Sequence, residues 1–305
     1  YSSLAQRPIP GLSFLALSLV HVQQRRSYPL RVEQRLPDKR VETVAPAPKR
    51  GRGRPKGSKN HAKAAPTLTP ELHLLASMVC AILSLIAPLS VKHLVLDGFF
   101  GTSSAAWMVR DCGLHLISKL RHNAALYLPY TGSKPRRGPT PRYGDKLDAR
   151  HLPAAACVQT VTEGQVSTHT YQLTVLHKEF ADPLNLVVVV KTNLRTHKCA
   201  HVLLFSTDLS LSAEQIVDCY SLRFQIEFNF RDAKQYWGLD DFMNVKPVPV
   251  TNAVNLAFLM VNLSAVLLKP YRHDQPDFSV LDLKAQFRAR RYLDETALLQ
   301  RRNVM

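Results

Sequence analysis

The stretch from Val91 to Leu120 most constrains what this chain can fold into. Val91–Leu96 is a short, largely apolar run closed by Asp97-Gly98, and it reads as a strand. Thr102 or Ser103 can cap a helix running to Cys112, and Leu114–Leu120 is a second strand. Two strands joined by a helical crossover lie parallel, so this is a βαβ unit of a mixed α/β fold. Asp97 falls at the carboxyl end of the first strand, the edge of an α/β sheet where ligands gather. A plain turn or helix-capping aspartate would sit in the same place, and position alone favours that plainer role.

The rest of the chain fills in around this unit. Gly11–Val22 and Tyr28–Leu36 are spaced for an antiparallel hairpin at the start of a sheet. Thr69-Pro70-Glu71 opens a helix that continues to about Ile86. Val158–Val161, Thr168–Leu176, Leu184–Val190 and Val202–Ser206 read as four short strands. Thr251–Leu268 is an apolar closing helix, and the tail from Asp282 is basic and helical. Two apolar runs, Leu74–Val91 and Ala253–Leu268, approach membrane-span length. Ser77, Ser84 and Pro88 interrupt the first, and Asn255, Asn262 and Ser264 the second. Both are therefore expected to be buried core helices, with no membrane partner.

Charge narrows the partners. Lys+Arg 40 against Asp+Glu 23 gives a net charge of +17, an excess that calls for a polyanion, most simply nucleic acid. The segment 40–67 is rich in Pro, Gly, Ala and Lys/Arg without an apolar period, and is expected to be a disordered or extended excursion. Within it, Gly53-Arg54-Pro55, flanked by Arg52 and Lys56, resembles an AT-hook. Such a strip lies in the narrow minor groove of A·T-rich DNA, where Arg meets an enhanced negative potential. A basic linker touching phosphates without sequence preference is the plainer alternative. Lys134–Lys146 is a second basic, turn-rich stretch, suited to a solvated phosphate-contacting loop. The five cysteines are scattered without a C-x-x-C, which fits a reducing cytosol rather than a disulfide scaffold. His197, Cys199 and His201 would share one strand face, but no fourth zinc ligand is apparent. No phosphate-binding loop, dinucleotide fingerprint or nucleophile elbow occurs.

Tyr220–Lys234 has no Gly or Pro, and reads as a helix with a capping box from Ser212 and Gln215 upstream and a stop at Gly238. At about 100° per residue with Glu227 at zero, Tyr220 falls near about +20°, Lys234 near about −20° and Arg223 near about −40°. Phe224, Ile226 and Phe228 point elsewhere and can bury the helix. A carboxylate flanked by two cations and a phenol suits a site where Glu227 holds a metal ion and the cations hold phosphates. An ordinary amphipathic helix with an Arg–Glu pair at i,i+4 has the same look.

Tyr220, Arg223, Glu227 and Lys234 resemble the signature around the last acidic residue of DDE transposases of the insertion-sequence-four type. Leu94-Val-Leu-Asp-Gly-Phe-Phe100 is similar to the context of that family's middle acidic residue. Arg137-Gly-Pro-Thr-Pro-Arg-Tyr143 departs from the Gly-Arg-Pro-Arg-Lys-Tyr-Gly run found there. The resemblance implies a ribonuclease-H-like α/β core interrupted by a β-rich insertion. Residues 1–122 would open the core, 123–209 would form the insertion, and 210–305 would complete the core. The 130 positions from Asp97 to Glu227 are too many for one loop, which agrees with an insertion. It also implies Mg²⁺ or Mn²⁺ held by Asp97, Glu227 and a third carboxylate, with Tyr220, Arg223 and Lys234 on the DNA. DNA cleavage and strand transfer by a homodimer on transposon ends, in a bacterial cytoplasm at the nucleoid, complete the implied picture. A first catalytic Asp is expected before the hairpin. The earliest Asp is Asp38, beside the basic excursion, so the chain is expected to be a truncated copy, inactive alone. A non-enzymatic AT-hook-type DNA-binding protein and a ribonuclease-H-like nuclease without strand transfer are the rivals.

The basic strip has a direct test in equilibrium binding. If Arg52 and Arg54 enter the minor groove, changing both to Ala weakens binding to A·T-rich duplexes more than to G·C-rich ones. Equal losses, with only a shallower salt dependence, mark a phosphate-binding linker.

Overall fold

The computed structural model describes residues 6–7, 11–36, 66–241, 243 and 245–303. Arg52, Arg54, Lys56 and Asp38 lie outside the described residues. In chain order the elements begin with β1 (Ser13–His21), β2 (Arg26–Arg35), α1 (Pro70–Leu85), β3 (His93–Val95), α2 (Ser103–Asp111) and β4 (His115–Lys119). Next come β5 (Leu126–Pro129), β6 (Tyr143–Lys146), β7 (Cys157–Glu163), β8 (Val166–His177), β9 (Leu184–Asn193) and β10 (Cys199–Ser206). The chain then turns helical, with α3 (Ala213–Leu222), α4 (Gln225–Trp237), α5 (Pro247–Asp274) and α6 (Val280–Asn303). These elements form two compact units, one of Leu36–Arg223 and one of Tyr1–Arg35 with Phe224–Met305.

The Leu36–Arg223 unit is built on the βαβ motif. Thr69 caps α1 by accepting from the Leu72 amide, and Thr102 caps α2 by accepting from the Ala105 amide. β3 and β4 pair in parallel with Leu94 opposite Leu116. The sheet does not stop there. β10 pairs antiparallel with β4, and the strand order runs β3-β4-β10-β9-β8-β5-β6, with β7 beside β8. The strands expected as an interrupting β insertion are therefore continuous with the βαβ sheet. The cause is backbone pairing of Leu204 with Lys119 and Ser206 with Ile117. One eight-stranded mixed sheet results. α3 covers part of it, with Ala213 and Ile216 packed on Ile117, Val187 and Leu204.

Two side-chain amides, Asn185 buried and Gln172 half-buried, fix the start of α3. The Gln172 side chain donates to Asn185 Oδ1 at 3.0 Å, and its own oxygen accepts from the Ala213 amide at 3.0 Å. Asn185 Nδ2 donates to the Leu211 carbonyl at 2.8 Å. These bonds satisfy polar groups that a helix terminus laid on an apolar sheet would otherwise leave unpaired.

In the other unit, β1 and β2 pair only with each other among the described residues, in a sheet of their own. α5 carries Val250, Val254, Ala257, Phe258 and Val261 into a core with Val32, Ala233 and Leu239. This helix is long and apolar enough by composition to cross a membrane. The asparagines within it instead bond a strand. Asn255 accepts from the Val32 amide at 3.1 Å and donates to the Val32 carbonyl at 2.8 Å, and Asn262 donates to the Pro29 carbonyl at 2.6 Å.

Asp208 ties the β10–α3 turn to β3. It accepts from Ser210 Oγ at 2.6 Å and from the Ser210 amide at 2.9 Å, and it meets His93 Nε2 at 2.9 Å. The Ser210 hydroxyl, then the His93 contact and the Ser210 amide, hold its carboxyl well below the usual carboxylate range against the opposing effect of burial. A depressed folded-state pKa stabilises the fold above the unfolded value, near 3.8, and that stability is lost as pH falls. Urea melts at pH 7, 4 and 3 check this. Asp208→Asn is expected to cost about 1–3 kcal/mol at pH 7 and to show a smaller loss than wild type between pH 4 and 3.

Candidate active site

Asp97 lies two residues past the end of β3, in extended backbone (φ −61°, ψ 158°), and precedes a 3-10 turn over Gly98–Phe100. Two bonds to its carbonyl hold this corner, from Ser118 Oγ at 3.1 Å and from the Phe100 amide at 2.9 Å. The turn lies close against β4. A side chain at Gly101 would overlap the Lys119 carbonyl, so glycine is required there for the backbones to approach. Ser118 and Gly101 thus set the carboxylate's position, though neither stood out in the sequence. Gly98 and Gly101, spaced three apart beside Asp97, were the available signal.

Tyr220 and Arg223 come to this corner from the end of α3. Arg223 Nε lies 3.7 Å from Asp97 Oδ1, with the two side chains 29% and 58% exposed. That nitrogen is buried and has no hydrogen-bond partner. The Arg223 guanidinium carbon sits 5.7 Å from the centre of the Tyr220 ring, a cation–π distance. Burial pushes the Tyr220 phenol above its ordinary range, and the Asp97 carboxylate adds to this. The Arg223 guanidinium and the Gly98 amide act the other way, and the net shift is upward. At neutral pH the phenol therefore keeps its proton and can donate it in a hydrogen bond.

The expected single helix over Tyr220–Lys234 is corrected by the backbone. α3 ends at Leu222 and α4 starts at Gln225. Arg223 and Phe224 keep right-handed helical dihedrals, but the bonding tightens to i→i+3: Arg223 N–H to the Tyr220 carbonyl at 3.2 Å, and Glu227 N–H to the Phe224 carbonyl at 3.0 Å. Such a turn shifts the angular register on which a shared face depends. The expectation that Phe224 and Phe228 bury the helix is also corrected. They are 47% and 37% exposed, whereas Asn229 and Ala233 are the buried residues of α4. The Asn229 amide donates to Ser27 Oγ at 2.8 Å, which lets a polar residue take the buried position.

The predicted residues thus divide between the units. Asp97, Tyr220 and Arg223 meet in the Leu36–Arg223 unit, while Glu227 and Lys234 belong to the other. Glu227 is exposed on α4. Lys234 Nζ pairs with Asp240 Oδ2 at 3.0 Å. Among the described residues no group of three or more His, Cys, Asp or Glu side chains could hold a metal ion, the His197–Cys199–His201 run included.

A sequence family described as DDE superfamily endonuclease matches residues 1–179, more than half of the chain. The protein belongs to that family. It is an endonuclease-type protein whose family acts on DNA, and Asp97 falls inside the matched span. Tyr220, Arg223, Glu227 and Lys234 lie beyond it. No curated protein matches the chain. DDE endonucleases generally use divalent metals. Among the described residues the immediate neighbours of Asp97 do not fit one: a guanidinium and a phenol stand beside a single carboxylate, where a hard dication needs several oxygen ligands.

The cluster makes a directional prediction for Tyr220. The Arg223 charge lowers the phenol's pKa, so Arg223→Ala should raise it further. Alkaline absorbance titration, with Tyr220→Phe subtracted to isolate this phenolate, checks the direction. An unchanged or lower midpoint would contradict the contact.

Proposed function

We propose that this chain is a DDE transposase of the insertion-sequence-four type, cutting DNA at element ends and joining it to a target. The observation that carries the reading is Asp97: a carboxylate at the carboxyl end of a parallel strand, with Arg223 and Tyr220 against it, in a chain of the DDE endonuclease family. Tyr220, in the last turn of α3, and Arg223, its C-cap, belong to the same four-residue signature as Glu227 and Lys234. A ribonuclease-H-like core is the fold that goes with this assignment.

In this reading Asp97 and Glu227 are the essential carboxylates. Arg223 supplies a guanidinium for a non-bridging phosphate oxygen, since such charge-assisted bonds are the strong ones. Tyr220, protonated at neutral pH, donates to the DNA backbone, and Lys234 adds a mobile positive charge. The strip of Arg52, Arg54 and Lys56 holds flanking A·T-rich duplex. Mg²⁺ or Mn²⁺ is the expected cofactor, and the mismatch at Asp97 stands against it. That mismatch favours a second reading, a DNA-binding protein of this family that does not cut. A homodimer synapsing two ends, at the bacterial nucleoid, belongs to the first reading.

The deciding experiment pairs binding with nicking of supercoiled DNA in Mg²⁺ and Mn²⁺. The first reading expects metal-dependent nicking that falls at least about 100-fold in Asp97→Asn and in Glu227→Gln, with DNA affinity within about twofold of wild type. Nicking retained by both variants would remove the assignment of these carboxylates. Tight binding without nicking in either metal supports the second reading and equally the inactivity expected of this chain alone.

A further inference from the structure

α1 and the end of α2 bring two thiols together. Cys80 Sγ lies 3.7 Å from Cys112 Sγ, although the residues are 32 positions apart. Cys80 is exposed in the second half of α1, and Cys112 is half-buried at the C-cap of α2. Cys112 is well fixed: its amide donates to the Met108 carbonyl at 3.1 Å, and the Gly113 amide donates to the Arg110 carbonyl at 2.9 Å. A disulfide needs the sulfurs at about 2.05 Å, so each must move by roughly 0.8 Å, within reach of small side-chain rotations. β3, Asp97 and the Gly98–Phe100 turn all lie between positions 80 and 112.

We propose that Cys80 and Cys112 form a reversible disulfide that encloses the Asp97 strand and turn in a covalent ring, a redox modification site of this protein. The oxidant is a peroxide. The exposed Cys80 thiolate attacks a peroxide oxygen; the S–O bond forms, the O–O bond breaks, and the departing hydroxide takes a proton to become water. Cys112 sulfur then attacks the Cys80 sulfenic acid; the S–S bond forms, the S–O bond breaks, and a second water leaves with the Cys112 proton. Two thiols are oxidised and one peroxide is reduced to two waters. Cellular dithiols reverse the reaction by exchange.

Burial pushes the Cys112 thiol up to about 12, with the Cys80 contact adding to it. Cys112 therefore stays protonated and slow, and it resolves rather than initiates. Closing this ring stabilises chiefly by restricting the unfolded chain. It pins α1 and α2 on either side of the segment that positions Asp97.

The test uses the full chain, treated with hydrogen peroxide, blocked with maleimide and mapped by mass spectrometry. The expected product is a Cys80–Cys112 peptide pair lighter by about 2 Da than the two thiol peptides and restored by dithiothreitol. The thermal midpoint is expected to rise by several degrees on oxidation of wild type, but not of Cys80→Ser, whose exposed position leaves folding intact. Oxygen addition at Cys80 with Cys112 still open to maleimide after unfolding would overturn the proposal. So would a pair that forms without moving the midpoint.

Discussion

The parallel pairing of β3 with β4 is the interaction on which the larger unit depends. β4 is buried through Leu116, Ile117 and Ser118, and both its edges are taken. One side holds β3 in parallel and the other holds β10 antiparallel. A strand with both neighbours fixed leaves little freedom to the segments attached to it. Asp97 inherits its place from Ser118 and from the close approach at Lys119, and α3 inherits its place from strands that extend the same sheet. The contact between Arg223 and Asp97 is therefore a consequence of sheet register, not of a weak surface ion pair. At 3.7 Å and partly exposed, that pair alone would contribute little.

The local patterns were legible where one principle acted alone. The βαβ unit could be read because apolar runs, an Asp-Gly turn and a hydroxyl cap fell at the right spacing. Thr69, Thr102 and Ser212 all cap as their sequence contexts imply, and the Ser212–Gln215 capping box is present in full. The asparagines of α5 could be read as a sign against a membrane span, but not as partners of β2. Bonds spanning 223 positions leave no trace in local spacing.

The rest was hidden for specific reasons. The continuity of the sheet depends on β4 accepting β10, a long-range choice that alternation within either strand does not encode. The break at Arg223–Phe224 needs neither Gly nor Pro, because it is a tightening of bonds within helical dihedrals. Propensity is blind to that difference. Buried Asn229 against exposed Phe224 and Phe228 inverts the usual ranking, and one hydrogen bond to Ser27 is what permits it. The carboxylate, phenol and guanidinium that meet at this corner were legible in the sequence as candidates. Their geometry was not, because it depends on the Gly101 approach.

The clamp of Asn255 and Asn262 on β2 has a consequence for how the chain is made. The helix that completes the hairpin's hydrogen bonding emerges from the ribosome 223 positions after the strand it clamps. At 5–20 residues per second, the strand waits on the order of 10–45 s for its partner. During that interval it has a two-stranded ribbon's marginal stability. The smaller unit is therefore a high-contact-order assembly that closes only after the span of the larger unit has been synthesised. A nascent-chain binder that covers apolar hairpins would have its longest opportunity here.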